Sequence, residues 1–287
     1  MITTITNQTL TVAVNSCGAE LYSIRTGDGC EYLWQGDPAY WMRRSPNLFP
    51  VVGLLPENRY RVGGKEFSLQ LHGFAKETEF QLVAREPDRL RYRLAYTPET
   101  LANYPFKFEL AIEYLIQGQT LTHRFLVKNV DQRDLFFSVG AHPGFRCPLE
   151  AGERQEDYSL EFETDELAER RFIEQNLLTG KRERFLDHEK TVPLSAALFS
   201  RQAIILQDLK SRSVTLRSNR SGRKVTVAFA GFPYLGIWSA PGPFVCIEPW
   251  YGITSPQGAE VELERKEGIL ALESGKQFEC EYRITVG

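Results

Sequence analysis

The sequence is poor in histidine, with four in 287 residues, so each one carries information. Its five cysteines, Cys17, Cys30, Cys147, Cys246 and Cys280, are odd in number and widely spaced, with no CxxC pair. That pattern argues against a zinc ribbon or a disulfide framework and fits reduced thiols in a cytosolic protein. No apolar run approaches the roughly 18 residues that span a bilayer. Met1 to Val14 alternates polar and apolar residues without a basic region or an apolar stretch, so no signal peptide is expected and the expected location is cytoplasmic. A formal charge of −3 gives no electrostatic reason to bind nucleic acid or an anionic membrane. Phosphate-binding GxxxxGK[ST] and nucleophile-elbow GxSxG motifs are missing. No Pro/Gly/Ser linker, repeat or low-complexity segment divides the chain, which reads as a single unit over 1–287.

What the chain does have is aromatic residues and period-two alternation. Phe106, Phe108, Leu110, Ile112, Tyr114 and Ile116 fall on one face, with Lys107, Glu109 and Glu113 on the other. That is the pattern of a half-buried antiparallel strand. Gly118-Gln119 turns the chain, and Leu121, His123, Phe125 and Val127 continue as the second arm of a hairpin. The signal recurs at Leu10–Val14, Leu90–Tyr96, Val214–Arg217, Lys224–Phe229 and Gln277–Val286. Helical signals are confined to Pro98–Tyr104, Asp165–Gln175 and Leu194–Ser200, and the polar stretches Leu149–Asp157 and Lys181–Lys190 read as surface loops. Without strand–helix alternation a parallel sheet is not expected, and the fold class is all-β.

His123 lies on an apolar strand face and reads as a core histidine; His188, in a charged stretch, reads as a solvated one. His72 in Leu71-His72-Gly73-Phe74-Ala75 and His142 in Gly140-Ala141-His142-Pro143-Gly144-Phe145 differ. Glycine permits close approach of a ligand, and Pro143 restricts the backbone just after His142. Either histidine has a structural or a functional reading. Glu248 sits among Cys246, Ile247, Pro249 and Trp250, an apolar setting in which a carboxylate needs a partner or a task and tends to a raised pKa. An ion pair that ties down a strand end is the alternative. Two His and one Glu also make a metal-ligand set, but no HxH or HxxxH spacing supports one, and no metal is expected.

The ordered segments Trp41-Met42-Arg43-Arg44-Ser45-Pro46-Asn47-Leu48-Phe49-Pro50, Leu71 to Ala75, Gly140 to Phe145, and Phe244-Val245-Cys246-Ile247-Glu248-Pro249-Trp250-Tyr251-Gly252 resemble the signatures of the aldose 1-epimerase (galactose mutarotase-like) family, particularly the bacterial branch encoded near lactose genes. The resemblance runs over essentially the whole chain. It implies a β-supersandwich of many antiparallel strands and a cofactor-free isomerase acting on a small sugar, as a monomer or homodimer. It further implies His142 as general acid and Glu248 as general base, with His142 protonated and Glu248 ionised at working pH. His72 would bind the sugar and help at the ring oxygen, and Arg44, Asp208 and Trp238 are the other expected sugar-binding residues. Many relatives carry an arginine where Leu54 stands here; Arg44 or Arg59 is a candidate replacement. Three rival readings remain: a hexose-6-phosphate 1-epimerase drawing on Arg43, Arg44, Arg59 or Arg146, a sugar-binding protein without turnover, and a glycoside hydrolase using Asp208 and Glu248.

Overall fold

The computed structural model describes every residue, Met1–Gly287. Twenty-two strands account for most of the chain, and the largest sheet holds fifteen of them. Its strands pair antiparallel throughout, as adjacent arms of alternating sequences do. The expected hairpin forms from Phe108–Gln117 and Thr120–Asn129, with Gln117 opposite Thr120 and Gly118 at a φ of 55° in the turn. Its outer neighbours are Arg89–Ala95 and the C-terminal strand Gln277–Val286. Ile2–Thr6, Leu10–Asn15 and Glu20–Thr26 form a separate three-stranded sheet. The architecture is the all-β supersandwich that the alternation and the resemblance led us to expect.

One apolar cluster runs from Ile5 to Val286 and joins the inward faces of the small and large sheets. Seven of its fully buried side chains are tyrosines. A buried phenol needs a hydrogen-bond partner. Tyr60, Tyr104 and Tyr114 donate to the carbonyls of Asn103, Phe136 and Ala19 at 2.6–2.7 Å. The Tyr282 hydroxyl lies 2.9 Å from His123 Nδ1, which fixes His123 as a core residue.

Two local expectations are corrected. Asp165–Gln175 is not helical, and Lys181–Lys190 is not a loop. Both belong to two 17-residue strands, Tyr158–Glu174 and Leu177–Pro193, joined by a turn at Gln175 and Asn176, both at positive φ. Glu, Leu, Ala and Arg in the first segment are helix formers, and propensity yields here to pairing between strands. Burial also inverts polarity: Leu167 is exposed while Glu166 is buried, its carboxylate accepting from the amides of Lys210 and Ser211. His188, solvent-exposed as expected, occupies an irregularity in this ribbon at φ 57°. Pro98–Asn103 is a helix, capped by Thr97, and Leu194–Ser200 keeps only a 3-10 turn at Ala196–Phe199. All five cysteines are unpaired, and no helix is long and apolar enough to cross a membrane.

Candidate active site

Glu248 lies mid-strand in Phe244–Tyr251, between Tyr234–Trp238 on one side and Val139–Ala141 and Gly144–Arg146 on the other. Alternation along that strand puts Phe244, Cys246, Glu248 and Trp250 on one face. Neighbouring positions are glycine because the Trp250 indole lies over them. A β-carbon on Gly236, paired with Glu248, would come within 2.5 Å of the indole, and one on Gly140 within 2.8 Å.

His142 follows the strand Val139–Ala141, and its backbone N–H donates to Pro46. Its Nε2 meets Glu248 Oε2 at 3.2 Å. The Trp41 ring stacks on the imidazole at 4.8 Å between centroids, and Trp238 and His72 approach it edge-on at 5.8 and 5.7 Å. Burial dominates the electrostatics of the pair. It pushes His142 down to about 3, with the nearby Arg43 charge acting in the same direction. It raises Glu248 well above the carboxylate range, offset only in part by the Trp250 side chain. Burial therefore favours an uncharged imidazole beside an uncharged carboxyl, with the pair's one titratable proton on Glu248. This differs from the ion pair anticipated from the resemblance, because the aromatic walls exclude the water that would solvate two charges.

His72 has φ 64°, unusual for a residue with a β-carbon. Gly73 follows at φ 69°, where a β-carbon would lie 2.2 Å from the Phe49 carbonyl oxygen. Gly53 N–H donates to His72 Nδ1 at 3.1 Å, and Gly53 C=O accepts from the His72 backbone at 2.9 Å. Burial holds the imidazole neutral, so with Nδ1 accepting, the ring proton belongs on Nε2. His72 is thus a fixed donor.

These side chains line a cavity of 340 Å³. His72, His142, Trp238 and Glu248 converge there. Arg44 and Asp208 do not line it. Arg44 donates to Tyr22 O at 2.8 Å and Gln35 Oε1 at 2.6 Å, with its guanidinium 3.6 Å above the Tyr22 ring. Asp208 is exposed past the end of the strand Ile204–Gln207 and accepts from Gln207. Leu54 and Arg146 are likewise outside the lining, and Arg59 borders a different depression beside Glu57 and Glu66.

Sequence reasoning gave no site role to Trp41, Lys76, Asn176, Gln202, Trp250 or Thr254, all in the cavity wall. Trp250 was legible, being two residues beyond Glu248 on the same strand face. Asn176 was not, because it sits at the tip of the misread ribbon. There Leu178 N–H donates to Ser255 O at 2.9 Å, Thr254 Oγ1 donates to Asn176 O, and Arg171 is paired with Glu267. The nearest approach to a metal-ligand set is His142, Cys246 and Glu248, with donor atoms within 4.8 Å of one another. Cys246 is fully buried and outside the cavity lining, and the other two engage each other, an arrangement suited to passing a proton.

Residues 1–267 match the family model described as aldose 1-epimerase. The chain belongs to the aldose 1-epimerase family. Among relatives of this family, the chromosomal protein LacX of Lactococcus lactis subsp. lactis is 39% identical, over 98% of this chain and 97% of its own. A galactose mutarotase related enzyme from Lactobacillus acidophilus superposes with a TM-score of 0.96 at 32% identity, covering 100% of this chain and 97% of that one. A galactose mutarotase-like protein from Lactobacillus casei gives 0.94 at 28% identity, with both chains fully covered. Membership in the aldose 1-epimerase family thus extends across both the sheet scaffold and the segments that carry His72, His142 and Glu248.

Proposed function

We propose that this protein interconverts the α and β anomers of a free hexose by opening and closing the sugar ring. The observation that carries this reading is the buried 3.2 Å contact between His142 and Glu248 in the wall of an aromatic, sugar-sized cavity. Mutarotation needs one proton removed from O1 and one delivered to O5. Glu248 accepts the O1 proton, the C1–O5 bond breaks, and His142 protonates O5, leaving an open-chain aldehyde. Rotation about C1–C2 presents the other carbonyl face, and closure returns both protons. The pair ends with the proton count it began with, so no external acid, base or redox partner is consumed.

Hydroxyl groups of the bound sugar supply the hydrogen bonds that charged groups need. They shift the shared proton from Glu248 to His142 and set the acid and the base in their working states. Trp41 and Trp238 offer faces for the sugar ring, and His72 Nε2–H donates to it. Arg43 and Lys76 bring positive charge to the wall, yet both are engaged: Arg43 with Glu77 at 2.7 Å, Lys76 with two backbone carbonyls. This favours a neutral sugar over a hexose 6-phosphate.

Polarimetry tests the proposal. Glu248→Gln is expected to lose about 10²–10⁴-fold in mutarotation rate, the usual range for a general acid–base group. A variant close to wild type overturns it. Glucose and galactose are expected to be turned over in preference to glucose 6-phosphate in the same assay.

A further inference from the structure

We infer that Lys76 is a positioning residue for His72, an inference that rests on reading His72 as a donor to the sugar. Lys76 belongs to the short turn Ala75–Glu77, and its side chain is 10% exposed. Its Nζ donates to the carbonyls of Leu71 at 2.8 Å and Gly73 at 2.6 Å. Those are the carbonyls of the residues on either side of His72. One ammonium therefore bridges the two ends of the left-handed His72 backbone. Its nearest carboxylate oxygen, on Glu77, is 3.9 Å away, so the buried charge is satisfied mainly by these carbonyls.

The Lys76 backbone is held in turn. Arg43 Nη1 reaches its carbonyl oxygen at 3.5 Å while Arg43 Nη2 grips Glu77, and Gly18 leaves no room for a β-carbon against that carbonyl. Burying an ammonium is costly, and a methionine would fill the same apolar space without that cost. The charge is explained by what it fastens. Lys76 fixes the His72 peptide, Gly53 fixes the His72 ring through Nδ1, and together they aim Nε2–H into the cavity. Left-handed backbone persists at a non-glycine residue only where surrounding contacts impose it.

A double-mutant cycle on kcat/KM for mutarotation, with Lys76→Met and His72→Asn, tests this. Lys76→Met is expected to lower kcat/KM about tenfold, the size of one lost hydrogen bond in the transition state. The double variant is expected to be no worse than His72→Asn alone. Losses that multiply, or a Lys76→Met protein with unchanged kcat/KM, overturn the inference. If Lys76→Met does not fold, Lys76→Arg takes its place. Wild-type activity there, or a loss that vanishes in the His72→Asn background, supports the positioning role; a loss that persists in that background overturns it. If His72→Asn itself retains full activity, the sugar-donor reading of His72 fails. The His72 imidazole nitrogen resonances then decide the positioning role alone: a shift on replacing Lys76 supports it, and unchanged resonances overturn it.

Discussion

Trp41 stacks on His142 with ring centroids 4.8 Å apart and an angle of 29° between the planes, and this contact does much to keep the imidazole dry. Removing it in Trp41→Ala lets water reach His142 and raises its pKa from about 3 toward the ordinary histidine value. A second proton then enters the His142–Glu248 pair at a higher pH. The acid limb of kcat/KM is expected to move upward by about one to two pH units, while KM rises as a sugar platform is lost. A pH–rate profile of the variant beside wild type checks this, and an unmoved acid limb counts against it.

On the proposed mechanism the pair is active while it holds one proton. Burial depresses His142 to about 3 and raises Glu248, so the second proton joins only in strong acid and the first leaves only well above the carboxylate range. Activity is expected to fall on the acid side as His142 charges and on the alkaline side, above the ordinary carboxylate range, as Glu248 loses its proton. Mutarotation rates measured across pH, with the buffer-catalysed background subtracted, give the profile.

Acid stability follows from the same physics at a position remote from the site. His123 is buried and held down to about 3, against about 6.5 when the chain is unfolded. Between those values the unfolded state binds the proton and the folded state does not. The His123 contribution is therefore present above about pH 6.5 and lost as pH falls toward 3. His123→Gln, which keeps a partner for the Tyr282 hydroxyl, is expected to make unfolding free energy less steep in pH over that window. Urea denaturation at several pH values tests it, and equal slopes contradict it.

Gly236→Ala places a β-carbon 2.5 Å from the Trp250 indole, a contact that forces strand or ring to move. A loss of about 1–3 kcal/mol is expected from overpacking, with a change in tryptophan fluorescence, since Trp250 forms part of the cavity wall. Chemical denaturation and emission spectra read both.

Legibility in the sequence tracked how local the determining forces are. Strands such as Phe108–Gln117, half-buried and paired to their chain neighbour, declare themselves by alternation. The Tyr158–Glu174 strand did not, because its buried positions include Glu166, Arg170 and Arg171, whose partners lie far along the chain at Ser211, Arg201 and Glu267. The site divides in the same way. His142 and Glu248 stand out by the company they keep in sequence, and the fold brings them together. Arg44 and Asp208 have suitable chemistry but point elsewhere, a matter of side-chain direction that spacing does not encode. Lys76 was invisible because its partners are carbonyls, which every residue has.

The ribbon tip brings Asn176 into the cavity wall from outside the strands that hold His142 and Glu248. On the proposed mechanism, a change at Asn176 alters the wall that a sugar meets, while the acid and the base are held by other strands.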